Sequence, residues 1–248
     1  MTSKVMKYSV LRYSPRVKVG EAINLGVLVF DEENRLADFF YSTRRSRVEA
    51  FDDEISYTKV LKLLKSIKSD TEEYIMGKRD FDIDKYIKYY INAFFFEKTT
   101  TICYDSFEEV TTRLRKLFLW FDFDKKDRFT KEDSVKALKE MIQVDGTKAY
   151  LRKSDVGQYE DEIHYDLQTE KYNIVLFDLS EKNISKQINS AKLWSWNSVH
   201  HESDRETLFV LKDNGMQQKE YRVVKRVLDD SAAKVVPFGE AVRLIQEG

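Results

Sequence analysis

The runs Lys7-Tyr-Ser-Val-Leu-Arg-Tyr13 and Glu21-Ala-Ile-Asn-Leu-Gly-Val-Leu-Val-Phe30 decide how the first part of this chain folds. In the second, Ile23, Leu25, Val27 and Val29 alternate onto one face while Leu28 and Phe30 add apolar character to the other. That is the pattern of a strand covered on both sides over part of its length. A third β-type run, Arg35 to Tyr41, follows Asp31-Glu-Glu-Asn34, a polar stretch suited to a hairpin turn. The expectation is a three-stranded antiparallel meander with the second run at its centre.

The period then changes. Tyr57, Val60, Leu61, Leu64 and Ile67 fall at helical spacing, and Ile83, Tyr86, Ile87, Tyr90, Ile91, Phe94 and Phe95 repeat the pattern, so two amphipathic helices are expected. Ser106 with Glu109 has capping-box spacing and opens a helix burying Val110, Leu114, Leu117, Phe118 and Phe121. Thr130 with Asp133 opens another, with Val135, Leu138 and Ile142 inward. Asp80, Asp82 and Asp84 gather at a helix start, where negative charge complements the macrodipole.

After Asp145-Gly-Thr147 the β period returns. Ile163, Tyr165 and Leu167 alternate; Tyr172 to Leu179, Glu206 to Lys212 and Tyr221 to Leu228 read as strands. Ile184 to Val199 and Gly239 to Gln246 read as helices. The order predicts an α+β protein: an N-terminal meander, a central helical segment and a C-terminal region of mixed strands and helices. The organisation expected is residues 1–145 followed by residues 146–248, as two regions or one packed unit.

Composition excludes whole classes. The 248 residues carry 42 Lys/Arg against 43 Asp/Glu, with 13% aromatics, 42% hydrophobic residues and 34% charged ones, which supplies a core and a wet surface. No run approaches a membrane span, and Met1-Thr-Ser-Lys-Val-Met-Lys7 has charges where a signal peptide needs apolar residues. A soluble, cytoplasmic protein without membrane association is expected. One cysteine, Cys103, cannot form an internal disulfide, and three histidines cannot build a local zinc cluster.

Catalytic motifs fail on inspection. The stretch Asp122–Asp133 has acids where a calcium loop needs them at the first and third positions. However, Lys126 stands at the fifth, Asp127 replaces the turn glycine, and Asp133 replaces the final bidentate Glu. A nuclease centre needs carboxylates and a lysine together, yet Asp178 is followed by Leu179 and Ser180. His200 and His201 are adjacent, which puts them on different faces of either element, and His164 is expected in solvent. Glycine-rich phosphate loops are absent. No cofactor and no metal are called for. Trp120, Trp194 and Trp196 offer either stacking platforms or packing.

Charge is uneven: residues 1–48 hold nine Lys/Arg against five Asp/Glu. Arg12, Arg16, Lys18, Arg44, Arg45 and Arg47 would bind phosphates only if folding gathers them onto one face.

Tyr8 to Tyr13 and Gly20 to Phe30 resemble an uncharacterised bacterial family, domain of unknown function 3037. The matching positions are Leu11, Arg12, Tyr13, Gly20, Glu21, Asn24, Gly26 and Val27, and the likeness continues through Arg44, Arg47 and Phe51. The resemblance implies no activity; it implies a setting among bacterial mobile elements and kinase-type toxin neighbours. Within it, Glu21 and Asn24 are polar residues beside an apolar strand, and Arg12 is the natural counter-charge for a buried Glu21. Gly26 implies close approach of another group, with Tyr8 as a cover. Arg12, Tyr13, Glu21, Asn24 and Gly26 form either an internal network fixing the hairpin or a binding or catalytic site. The function expected is non-enzymatic: a bacterial or phage-borne interaction component of a mobile-element, defence or toxin–antitoxin type system, with a protein partner and with self-association left open. The alternative is a protein that binds nucleic acid or cleaves it with a metal.

Overall fold

In this computed structural model, the described residues are 4–15, 21–90, 92–143, 147–157, 159–179, 184–201, 203–212, 219–231 and 233–247. The chain divides into two compact units, Met1–Arg128 and Phe129–Gly248. Residues 145 and 146, where the sequence reading divides it, lie outside the described residues.

In the first unit β1 (Lys4–Tyr13), β2 (Ile23–Asp31) and β3 (Leu36–Tyr41) form the expected antiparallel meander, with β2 between the other two and all nine of its residues buried. The β2–β3 turn is held by Asp31, whose carboxylate accepts from the Asn34 backbone at 2.9 Å, from Asn34 Nδ2 at 2.8 Å and from the Tyr104 hydroxyl. Burial opposes charge on Asp31, but these donors outweigh it and hold the carboxyl below its ordinary range. Gly26 lies against Phe39: a Cβ there would sit 2.5 Å from the ring's Cζ. The close approach is therefore made by Phe39 of the neighbouring strand, and not by Tyr8, whose ring packs on Phe118 at 5.5 Å.

Helix α1 (Arg45–Phe51) is short, and α2 (Tyr57–Ile75) buries Val60, Leu64, Ile67, Thr71 and Tyr74 as its period requires, packing on β3. The expected helix from Ile83 to Phe95 is mostly absent. It survives as α3 (Ile83–Tyr86), capped by Asp82, and a 3-10 turn over Ile87–Tyr89. Asn92 then takes a left-handed φ of 72°, which Asn tolerates, and Phe94–Phe96 become β4. The reason is tertiary. β1 has a second edge to satisfy, and the aromatic run pairs with it, Leu11 opposite Phe96 and Tyr13 opposite Phe94. β5 (Thr100–Tyr104), unforeseen, continues along that edge, so the sheet has five strands. Helix α4 (Phe107–Phe118) starts at Ser106 as expected and buries Val110, Leu114, Leu117 and Phe118, packing on β2. It ends before Phe121, which lies half-buried in a 3-10 turn.

The second unit begins with α5 (Lys131–Ile142), opened by a reciprocal capping box of Thr130 and Asp133. Its sheet contains β6 (Tyr150–Leu151), β9 (Leu167–Gln168), β10 (Tyr172–Asp178), β11 (Glu206–Lys212) and β12 (Lys234–Pro237), in the order β12-β11-β10-β9-β6. β10, β11 and β12 are parallel. A separate hairpin pairs β7 (Ser154–Val156) with β8 (Glu162–His164). Parallel neighbours need crossovers, and these are α6 (Ile184–His200) and α7 (Lys219–Asp229). Residues 221 to 228, expected as a strand, are thus helical. Tyr221, Val224 and Leu228 are buried at helical spacing against Phe177, Phe209 and Leu211, while Arg222 is exposed. The chain ends in α8 (Phe238–Glu247), which packs on α5, β11 and β12.

Candidate functional site

Of the family-motif network, Arg12 and Tyr13 lie on β1 and Asn24 and Gly26 on the neighbouring strand β2. Arg12, 8% exposed, sits opposite Asn24 across the β1–β2 ladder, beside a register shift. Its Nη1 lies 3.1 Å from the Glu97 carboxylate. Glu21 lies just ahead of β2 and is half-buried. Asn24 donates from Nδ2 to the Phe118 carbonyl at 3.1 Å, giving the end of α4 a buried partner. The Tyr13 hydroxyl donates to Asp52; burial first, then Asp52, raise its pKa. Gly20 is outside the described residues.

Of the basic set, Arg44, Arg45 and Arg47 stand at the cap and first turn of α1, and Arg12 stands on β1. Arg16 and Lys18 lie outside the described residues. Arg12 and Arg47 are both 8% exposed, and Arg47 lies over the Phe121 ring at 4.9 Å. Arg44 and Arg45 are exposed; Arg45 pairs with Glu49 at 2.7 Å, and Arg44 Nη2 donates to the Asp122 carbonyl at 3.3 Å. A cleft of about 560 Å³ in the first unit includes Arg35, Arg79 and Lys85. Arg35 donates to the Tyr74 carbonyl, Arg79 to Asp70, and Lys85 pairs with Asp82.

The arrangement that sequence reasoning missed is in the second unit. Asn173, fully buried near the start of β10, donates from Nδ2 to Ser203 Oγ at 3.0 Å and to Asp155 Oδ2 at 3.4 Å. It accepts from Gln168 Nε2 at 2.8 Å. The β7–β8 hairpin supplies Asp155, and the residue after α6 supplies His201, whose Nε2 lies 3.6 Å from Asp155 Oδ2. A cleft of about 480 Å³ opens beside them, lined by Asp155, Val156, His201, Ser203, Asp204 and Arg205. Tyr165 belongs to the same cluster. Burial, then the Asp155 charge, push its hydroxyl up to about 12, and a hydrogen bond with Asn173 partly opposes them.

Next to the cleft stands an exposed stack. Trp196 of α6 lies face to face with Tyr159 at 5.9 Å and 9°, and with His200 at 4.4 Å and 15°. The His200 ring is anchored by its Nδ1 at 2.8 Å from the Trp196 carbonyl. Around it Leu193, Val199 and Val156 are 60%, 55% and 70% exposed. The tryptophans thus divide: Trp194 packs inward against Tyr165 at 5.5 Å, and Trp120 lies under the Arg128 guanidinium at 4.0 Å. A sequence signal existed, because α6 carries an inward apolar set, Ile188, Ala191 and Trp194, and a second one, Leu193, Trp196 and Val199, that no core explains.

Tyr165 gives a pH prediction. A hydroxyl whose folded pKa lies above its ordinary value near 10 contributes stability that is intact below pH 10 and lost as pH rises towards 12. Relative to pH 8, the wild type should lose about 1.4 kcal/mol more at pH 11 than Tyr165→Phe does, by roughly 1.4 kcal/mol per pKa unit. Urea unfolding at the two pH values checks it; equal losses would contradict the burial of this hydroxyl.

These features define an α+β protein with an antiparallel N-terminal sheet and a C-terminal unit bearing a polar cleft beside an exposed aromatic face. Residues 8–84 match the family model described as Protein of unknown function (DUF3037), so the resemblance of the opening segment holds and runs through α2 to the start of α3. No curated protein and no solved structure matches the chain. The cleft and the stack lie outside the matched segment.

Proposed function

We propose that this protein is a non-enzymatic protein-interaction component, in the mobile-element, defence or toxin–antitoxin setting that the family resemblance implies. Its partner docks on the outer face of α6 and the turn of the β7–β8 hairpin. The observation that carries the reading is the Tyr159–Trp196–His200 stack. Single exposed apolar residues are ordinary, but stacked rings flanked by Leu193 and Val199 form a patch that is already ordered before binding, which lowers the entropy lost on association. Tryptophan at the centre of such a patch is a common binding hot spot.

Exposed acids surround it. Glu160, Asp161 and Glu162 share the hairpin with Tyr159, so complementarity favours a segment with apolar residues flanked by basic ones. The nucleic-acid alternative has less support, because Arg12 and Arg47 are withdrawn from the surface and the acids beside the stack repel phosphate.

Selection of phage-displayed random dodecapeptides on the immobilised full chain tests the reading. Apolar peptides should be enriched, and Trp196→Ala should weaken them by about thirtyfold, the effect of a hot-spot residue. If no peptide is enriched, or if those enriched bind Trp196→Ala equally well, the docking face is wrong.

A further inference from the structure

We infer that the cleft lined by Asp155 and His201 receives a lysine or arginine side chain of the docking segment. The identity of that segment rests on the docking reading above; the chemistry of the cleft rests on different residues.

Asp155 is short of donors. An ionised carboxylate offers about four acceptor sites, yet the described residues give Asp155 only Asn173 Nδ2 at 3.4 Å and His201 Nε2 at 3.6 Å. The first is at the limit of a hydrogen bond and the second is beyond it. Its side chain is only 27% exposed, so water has restricted access to make up the difference. His201 is in the same position: its side chain is 10% exposed and its Nε2 has no hydrogen-bond partner among the described residues. Two under-used polar groups therefore converge on the wall of one cleft.

The cluster behind them is fixed. Gln168 donates to Asn173 Oδ1, which forces the Asn173 amide to point at Asp155 and Ser203. Ser203 Oγ also accepts from the Arg205 backbone at 3.3 Å, leaving its hydroxyl proton to give. Such a site is pre-shaped, and a guest that fits it need order little.

The sign of the guest follows from the wall. Asp155 and Asp204 are acidic, while the cation Arg205 donates from Nε to the Thr169 carbonyl at 3.0 Å. An ammonium or guanidinium supplies several donors and no acceptor, matching the open acceptor sites of Asp155. A carboxylate guest would instead meet two like charges, against the single one, Arg205, that a cationic guest meets. Val156 lines the cleft and is 70% exposed, and His200 of the stack precedes His201, so one segment can place an apolar residue on Trp196 and a basic one in the cleft.

The test uses isotope-labelled full chain titrated with N-acetyl-arginine methylamide and, separately, N-acetyl-glutamate methylamide, observed by NMR. The arginine compound should shift the His201 imidazole and Asn173 side-chain amide signals, and Asp155→Asn should weaken it by about tenfold or more, as expected for a hydrogen bond to a charged group. Trp196→Ala should leave its affinity within about twofold while reducing peptide capture. Equal binding of the glutamate compound, or an arginine affinity unchanged by Asp155→Asn, overturns the inference. If Asp155→Asn does not fold, the arginine-against-glutamate comparison on the unaltered chain decides. Enriched peptides that need Trp196 but carry no basic residue overturn this inference and leave the docking face standing. An arginine compound that binds when no peptide is enriched does the reverse.

Discussion

Lys212→Met is expected to destabilise the protein by about 3–5 kcal/mol, the cost of removing one partner of a buried ion pair. Lys212 Nζ lies 2.8 Å from Asp178 Oδ2, and both side chains are 3% exposed. They are the last residues of β11 and β10, directly opposite one another in a parallel ladder, and every residue of β10 is buried. Little water reaches the carboxylate once the ammonium is gone, so solvent cannot replace the lysine counter-charge. The double variant Asp178→Asn, Lys212→Met should recover more than half of the loss, because it removes both charges together. Urea unfolding of the full chain measures both. A single variant within about 1 kcal/mol of the wild type would mean that the pair is hydrated in solution.

Gly26→Ala should cost about 1–3 kcal/mol, the usual penalty of overpacking a filled core. The added methyl would stand 2.5 and 2.6 Å from two ring atoms of Phe39 and 3.1 Å from the Phe40 carbonyl oxygen. Phe39 is 1% exposed and has no room to swing away, and the carbonyl belongs to the β3 backbone. Phe39→Leu in the same chain should restore part of the stability, since it removes the ring atoms that clash. If the two substitutions destabilise additively, Gly26 is needed for some reason other than this ring.

What could be read beforehand depended on how local each cause was. β1 to β3 were legible because Ile23, Leu25, Val27 and Val29 alternate and Asp31 to Asn34 make a turn of their own. The starts of α4 and α5 were legible because Ser106 and Thr130 cap within three residues. Phe94 to Phe96 were misread because Tyr90, Ile91, Phe94 and Phe95 do follow a helical period; only the open edge of β1, some eighty residues earlier, makes them a strand. Tyr221 to Leu228 carry two adjacent valines that suit either element, and the choice belongs to the parallel pairing of β11 with β12.

The candidate site was less visible for the same reason. Asp155, Asn173 and His201 come from a hairpin, a strand and a helix end, with no spacing that a motif could capture. For the cleft itself the local sign was Asn173, a polar residue inside the apolar run from Tyr172 to Asp178. A search for a lysine close after Asp178 was equally blind to Lys212, which reaches it from the adjoining strand. On the family motif, Arg12 and Asn24 do meet across one ladder, and Glu97, from far along the chain, is a carboxylate partner of Arg12.

The five-stranded sheet also bears on how the molecule is made. β1 leaves the ribosome first among its strands, yet the partners of its outer edge run to Tyr104, which pairs with Lys4. Until β5 has been synthesised, a nascent chain carries β1 with much of one row of amides and carbonyls bare, the condition in which strands recruit neighbours from other chains. Chains arrested before β5 should therefore cluster on crowded polysomes, whereas chains that extend past it should not.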